Sequence, residues 1–216
     1  EGKMGEVLDQ MAEHKPVIAI YKGLAETQLR ATSEFQGNYD PHLWFSVQVW
    51  TDVVRFIGES LTEIDQINAS FYQANTTKHV EELNALHSWT TEQINTITEK
   101  QRVLITAHDA FGYFGREYGM EVKGLQGLST AAEYGLKDVI TMVDFITDNK
   151  IKAVFVESSV SDRSIKAVME GCKAKGHDLV IGGTLFSDAM GAKNKPEGTY
   201  IGMVKYNVST IVEALK

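Results

Sequence analysis

Two histidines and one aspartate stand where regular structure is expected to begin or end, and their side chains could bind a metal ion. They are His42 in the run DPH, His108 in the run TAHD and Asp188 in the run FSD. Imidazole nitrogens and a carboxylate oxygen together suit a divalent transition metal, and zinc binds such a set readily. The function of the chain therefore depends on whether the fold brings these three side chains together.

Composition excludes several classes of protein. With 216 residues, 43% of them hydrophobic, the chain can bury one large core or two modest ones. Its 29 acidic and 21 basic residues give a net charge of -8, so it lacks the basic field of a nucleic-acid-binding protein. No apolar run approaches the roughly 20 residues that span a bilayer. The single cysteine, Cys172, is predicted to be a buried or half-buried hydrophobic residue that forms no disulfide within the chain.

The first hundred residues are predicted to be mainly helical. Apolar residues at helical spacing indicate a helix at the start of the chain, and residues 16–21 predict a short buried strand. Asp40 is a favourable N-cap, with Pro41 in the first turn of a helix that places His42 at its N-terminus. Residues 68–99 then predict one long helix, of about 45 Å, that could connect two lobes rigidly.

The sequence after Lys100 alternates between strands and helices. Strands are predicted at residues 102–106, 121–125, 151–156 and 178–181, with a capping box at Thr130 and Glu133 and a helix cap at Ser161. Such a series predicts a parallel sheet with helices on both faces, and ligands bind at the carboxyl ends of its strands. His108 and Asp188 each follow a predicted strand, which agrees with this rule.

Both histidines are expected at helix N-termini. The partial positive charge of a helix N-terminus disfavours a protonated imidazole, so His42 and His108 are predicted to be neutral and available to a metal.

Several longer runs resemble one known family, and they occur in its order over almost the whole chain. They are DPHLWFSVQVW at residues 40–50, LITAHDAFGYFGREYG at 104–119, KGLQGLST at 123–130, VFVESSVS at 154–161 and IGGTLFSDAMG at 181–191. These runs are similar to those of the zinc- and manganese-binding solute-binding proteins of bacterial ABC importers, the TroA-like group.

The resemblance implies an α/β fold with two lobes of parallel sheet flanked by helices and joined by one long rigid helix. Residues 1–66 would be the remaining part of the N-terminal lobe, residues 67–100 the connecting helix and residues 101–216 the C-terminal lobe. His42, His108 and Asp188 fall on metal-ligand positions of the family. The implied role is to capture Zn²⁺ or Mn²⁺ in the cleft between the lobes and to deliver it to a membrane permease. The implied location is outside the cytoplasm, in the periplasm or on the cell surface as a lipoprotein.

The sequence departs from the family pattern in two respects. Members of the group carry more of the N-terminal lobe, which supplies one further histidine ligand, so three of four ligands are expected here, with weakened metal binding. A lobe without its sheet partners is expected either to be disordered in about the first sixty residues or to pair with another chain, for instance by self-association. In addition, Thr184 and Ser46 stand where the family often has acidic residues, which puts contacts to the ligands at these positions in doubt.

Two other functions remain as alternatives at this stage. Two histidines and one carboxylate also hold catalytic zinc, so a zinc-dependent hydrolase is the main rival, although no general base is evident. A surface adhesin is the other alternative. For the acidic residue Glu157, the sequence leaves open an ion pair with Arg116 or a solvated position.

Overall fold

The structure is a computed structural model that describes residues 4–31, 39–128 and 135–216. The chain begins with helix α1, Met4–Ala12, and continues through two short 3₁₀ turns, Ile20–Gly23 and Glu26–Gln28. The strand predicted at residues 16–21 is wrong, because residues 16–19 have no regular structure and Val17 and Ile18 are exposed. An apolar run becomes a strand only where a neighbouring strand accepts its backbone hydrogen bonds.

Helix α2 starts later than the sequence predicts. A 3₁₀ turn, Leu43–Phe45, follows His42, and α2 then spans Val47–Ile64. Its N-cap is Ser46, whose Oγ accepts a hydrogen bond of 3.1 Å from the backbone N of Val49. Asp40 was predicted as this cap, but its carboxylate contacts His42 instead.

Helix α3, Ala69–Ile94, is the longest in the described chain. It has 26 residues and a length of about 39 Å, shorter at its C-terminal end than the prediction of residues 68–99. It packs against α2 and against the last helix, α7, Tyr200–Leu215. The buried positions of α3 include Leu83, Leu86 and Ile94.

The second half of the described chain contains parallel strands, as predicted. These strands are β1, Val103–His108, β2, Glu121–Gln126, β3, Ala153–Glu157, and β4, Val180–Leu185. β1 pairs with β2 and β3 pairs with β4, both in parallel, and β1 also packs against β3. The last residues of β1 and β3, His108 and Glu157, are in contact, so the carboxyl ends of the two strand pairs lie together.

Helices fill the connections between these strands. They are α4, Gly112–Tyr118, α5, Leu136–Asn149, and α6, Arg163–Ala174. The predicted capping box at Thr130 and Glu133 lies outside the described residues. At α6 the residue before the helix is Asp162, while Ser161, the predicted cap, accepts a long hydrogen bond of 3.4 Å from Arg163 N. The architecture confirms the predicted α/β class with parallel sheets flanked by helices.

Two hydrophobic clusters hold these elements together. One joins α2, α3, α4 and α7, and includes a close pair of rings, Phe45 and Phe111, whose centroids are 4.2 Å apart. The other lies between the strands and the helices α5 and α6, and Cys172 is buried in it, as predicted. Burial raises the pKa of the Cys172 thiol. Within the described residues, none of the helices has the length and apolarity needed to cross a membrane.

The hydroxyl of Ser46 should contribute measurably to stability. Ser46→Ala removes the N-cap of α2 and the 2.9 Å hydrogen bond to Glu117 Oε2 in a fully buried position, so we expect a loss of about 1–2 kcal/mol. Urea unfolding of the wild type and of Ser46→Ala measures this loss of unfolding free energy. Ser88→Ala, which removes an exposed hydroxyl of α3, is the matched control and should change stability by less than about 0.5 kcal/mol. Equal stability of the two variants would show that the cap contributes nothing.

Candidate metal centre

The structure brings the three side chains of the predicted metal site together. Asp188 Oδ1 lies 3.5 Å from His42 Nε2 and 3.6 Å from His108 Nε2. One ligand atom from each residue lies within 4.8 Å of the other two, and the two imidazole rings are 5.5 Å apart. Zinc at about 2.0–2.1 Å from each ligand separates tetrahedral neighbours by about 3.3 Å, so the spacing suits a small cation.

His42 enters the site from the segment before α2. It precedes the 3₁₀ turn Leu43–Phe45, and its side chain is almost fully buried. Asp40 contacts the Nδ1 side of the His42 ring, with Oδ1 2.8 Å from Nδ1. The same oxygen accepts a 2.9 Å hydrogen bond from the His42 backbone N. With Nδ1 occupied by the carboxylate, Nε2 faces the other two side chains.

His108 is the last residue of β1, and its side chain is fully buried. Glu157, the last residue of β3, lies behind it, with Oε2 2.6 Å from His108 Nδ1 and Oε1 accepting a 2.8 Å hydrogen bond from the His108 backbone N. The Nδ1 contact is an ion pair rather than a linear hydrogen bond. On the other side of the ring, Nε2 is buried and lacks a hydrogen-bond partner within the described chain. Nε2 is therefore the ring atom that a cation would contact once its proton is displaced.

Asp188 lies in the loop after β4 and is more exposed, with 31% of its side chain accessible. Ser159 Oγ donates to Asp188 Oδ2 at 3.3 Å and contacts Ser187 Oγ at 2.6 Å. The indole Nε1 of Trp44 donates to the backbone O of Ser187 at 3.1 Å, which ties this loop to the segment that carries His42. These contacts leave Oδ1 facing the two imidazoles.

The carboxylates raise the proton affinity of both histidines. Burial acts to lower the pKa of His108, but its contacts with Asp188 and Glu157 outweigh burial and raise the pKa to about 9. Burial likewise opposes the contacts of His42 with Asp188 and Asp40, and the pKa of His42 is still raised. His108 and His42 in turn hold the pKa of the Asp188 carboxyl well below its usual range. The helix-dipole argument for neutral histidines therefore does not hold, because the carboxylates favour the protonated form of both imidazoles in the metal-free protein.

The error has a structural cause. The prediction assumed two helix N-termini, whereas His108 ends a strand and only a 3₁₀ turn follows His42. Nearby carboxylates, rather than a helix dipole, dominate the local field. A cation that binds here displaces these protons and takes over the pairing with the carboxylate.

The sequence did not identify the residues behind the ligands. Glu157 is buried against His108, so neither the ion pair with Arg116 nor the solvated position is correct. Arg116 instead donates to the backbone O of Gln28, and its guanidinium lies 5.0 Å from the ring centroid of Tyr113. Strand-end placement was the one available signal for Glu157, because it puts a carboxylate at the edge where His108 ends.

At the two positions where the sequence differs from the TroA-like pattern, the side chains have other surroundings. Ser46 donates to Glu117 and caps α2, and Thr184 is exposed on β4. Within the described residues, the metal-ligand cluster contains only the three predicted side chains. Zinc usually takes four ligands, so one more donor, a water molecule or another side chain, would complete the coordination.

Comparison with known proteins identifies relatives over nearly the full chain. The family described as "ZnuA: Zinc-uptake complex component A periplasmic" matches residues 1–214. The manganese-binding lipoprotein MntA of Bacillus subtilis is 49% identical over 216 residues, which cover all of this chain and 70% of that protein. The zinc-binding protein TroA of Treponema pallidum is 40% identical over 215 residues, 69% of its length.

The fold is also similar to that of a solved relative. The structure of the periplasmic zinc-binding protein TroA from Treponema pallidum superposes with a TM-score of 0.94 at 39% identity, covering 99% of this chain and 76% of that one. These matches confirm the resemblance inferred from the sequence motifs, and they exclude the hydrolase alternative because the family comprises solute-binding proteins and not enzymes. The chain belongs to the ZnuA family of metal-binding proteins of bacterial metal importers.

Proposed function

We propose that the chain captures a zinc or manganese ion with His42, His108 and Asp188 and delivers it to the permease of an ABC transporter. The observation that carries this proposal is the convergence of two Nε2 atoms and one carboxylate oxygen at one point. Behind each imidazole stands a buried carboxylate that orients it, which is the usual arrangement around metal-bound histidine. The buried Nε2 of His108 lacks a hydrogen-bond partner in the described chain, which supports its role as a metal ligand.

The site lies between parts of the fold that could move relative to each other. His42 precedes α2, whereas His108 and Asp188 follow strands of the sheet. We accordingly propose residues 1–66 and 101–216 as the two lobes and residues 67–100, including α3, as their connection. A ligand set drawn from both lobes binds tightly when complete and weakly when a shift separates the lobes, which provides a route for release.

Both metals remain in the proposal. Two imidazoles and one carboxylate favour zinc over manganese in intrinsic affinity, but the supply of each metal also determines which one is imported. The relatives named above are described as binding manganese in one case and zinc in the other.

The proposed location is outside the cytoplasmic membrane. Relatives are described as lipoproteins or as periplasmic proteins, and a component that hands its ion to a permease must face that side. Pairing of the N-terminal part with another chain stays a prediction; Val7, Met11 and Ile18 give it an exposed apolar surface. Nothing in the described part of the chain favours an adhesive role.

Removing any one of the three proposed ligands should abolish tight metal binding. We expect His42→Ala, His108→Ala and Asp188→Ala each to weaken zinc and manganese binding by about 100-fold or more, because each leaves two ligands. Competition with a chromophoric chelator measures the affinity. His79→Ala, an exposed histidine on α3, is the matched control and should bind like the wild type. Unchanged affinity in His108→Ala would contradict the proposed site.

Delivery to a permease is tested in cells. We expect a deletion of this protein in its source bacterium to lower uptake of radioactive metal, and the wild-type gene to restore uptake. A gene carrying His108→Ala should fail to restore it at limiting metal concentration. Full restoration by that variant would show that uptake does not depend on this site.

Glu157 should matter through the tautomer of His108. In Glu157→Gln the amide oxygen keeps the hydrogen bond from the His108 backbone N, so the amide NH2 group faces Nδ1. A donor at Nδ1 favours the ring tautomer with its proton on Nε2, the atom that would bind the metal. We therefore expect metal affinity to fall by about 10–100-fold. Glu213→Gln, at an exposed position of α7, is the control and should have no effect. If both variants bind metal equally well, Glu157 does not act on the site.

A further inference from the structure

We propose that Arg30 is a positioning residue of the metal site, which acts through Asp40 to fix the orientation of His42. This inference rests on the proposed function, because it assumes that His42 binds the metal. Arg30 does not touch the three ligands itself. It lies in the segment that precedes residues 32–38, twelve residues before His42, and its guanidinium reaches the far side of the Asp40 carboxylate.

The Asp40 carboxylate is divided between two partners. Oδ1 contacts His42 twice, at Nδ1 and at the backbone N, while Oδ2 lies 2.6 Å from Arg30 Nη1. The carboxylate is fully buried and the Arg30 side chain is 27% exposed, so Arg30 supplies the compensating charge from the solvent side. A buried carboxylate without such a partner pays a desolvation penalty that it can relieve by rotating toward solvent. Such a rotation would release the ring of His42.

Backbone hydrogen bonds place Arg30 and Asp40 next to each other, independently of the contact between their side chains. The backbone N of Asp40 donates to the backbone O of Arg30 at 2.8 Å. The hydroxyl of Tyr113 accepts from the backbone N of Arg30 at 3.0 Å and donates to the backbone O of Asp40 at 3.1 Å. Tyr113 is fully buried in α4 and so provides a fixed reference for both residues. The pair is therefore pre-organised rather than a chance contact of two flexible side chains.

The first residue of α4 leaves room for the guanidinium. A Cβ placed on Gly112 would lie 1.1 Å from Arg30 Nη1, so any larger residue would displace the end of that side chain. The guanidinium also lies 5.7 Å from the centroid of the Tyr113 ring, within the range of a cation–π contact. Two separate features of α4, a missing side chain and an aromatic ring, thus favour the place that Arg30 occupies.

The effect of Arg30 on the metal is geometric rather than electronic. The positive charge of Arg30 withdraws electron density from the Asp40 carboxylate, which also faces His42. By itself this would make the imidazole of His42 a slightly weaker electron-pair donor to the metal. What Arg30 adds is a fixed carboxylate plane and hence a fixed ring orientation, and partners behind a metal ligand are typically worth about 10–100-fold in metal affinity.

Four variants test the inference by zinc binding in competition with a chelator. Arg30→Gln removes the charge, Arg30→Lys keeps it, and Gly112→Ala displaces the guanidinium without changing Arg30. Arg55→Gln is the matched control, because Arg55 makes a 2.6 Å ion pair with Asp52 on the surface of α2, away from Asp40. Urea unfolding of the metal-free proteins and the visible absorption of the cobalt-loaded proteins are recorded in parallel. The cobalt spectrum reports ligand geometry, which a purely structural role would leave unchanged.

We expect Arg30→Gln and Gly112→Ala each to weaken zinc binding by about 10-fold or more and to alter the cobalt spectrum. Arg30→Lys should recover part of the affinity that Arg30→Gln loses, and Arg55→Gln should bind like the wild type. Zinc binding by Arg30→Gln or Gly112→Ala within about twofold of the wild type, or an unchanged cobalt spectrum, would overturn the inference. Failure of the wild-type protein itself to bind metal at His42 would instead refute the proposed function. If Arg30→Gln does not fold, Gly112→Ala and Arg30→Lys still decide the matter.

Discussion

The contact between a buried carboxylate and the Nδ1 atom of a buried imidazole is the interaction on which the site depends, and it occurs twice. Asp40 makes it with His42 and Glu157 makes it with His108. Each carboxylate also accepts a hydrogen bond from the backbone N of the same histidine, so ring and main chain are held by one group. A buried carboxylate is costly without such partners, and a buried imidazole without one would be free to rotate. Each carboxylate–histidine pair therefore gives the buried carboxylate its hydrogen-bond partners and fixes the orientation of the imidazole ring.

These pairs require the sheet to end where it does. β1 packs against β3, and their last residues, His108 and Glu157, meet although 49 positions separate them. The loop after β4 then reaches the same edge with Asp188, and Trp44 ties that loop to the segment of His42. The strands therefore bring His108 and Glu157 together, and the loop segments bring Asp188 and His42 to the same place.

Local sequence patterns predicted the parts of this arrangement that local physics controls. Alternating strands and helices after Lys100 required a parallel sheet, and the rule that ligands gather at strand ends brought His108 and Asp188 to one edge. The contacts of Asp40, Glu157 and Arg30 were missed because they depend on tertiary neighbours. A residue before a helix is most simply interpreted as a cap, which is why Asp40 was assigned to α2 while Ser46 holds that position.

Two inferences that do not hold, the strand at residues 16–21 and the helix-dipole argument for neutral histidines, have the same cause. Each used the local sequence alone to infer a property that depends on neighbouring parts of the fold. Residues 16–21 have the composition of a strand, but a strand also needs a partner. The histidines were predicted to be neutral from an assumed helix dipole of about half a charge, whereas each in fact faces full carboxylate charges. The unequal burial of the three proposed ligands has a kinetic meaning of its own. Both imidazoles are sealed from solvent, while Asp188 is partly open, so water and competing chelators reach the ion from the carboxylate side. Exchange of the bound ion would then begin with the Asp188 bond, and the motion of one loop would set its residence time.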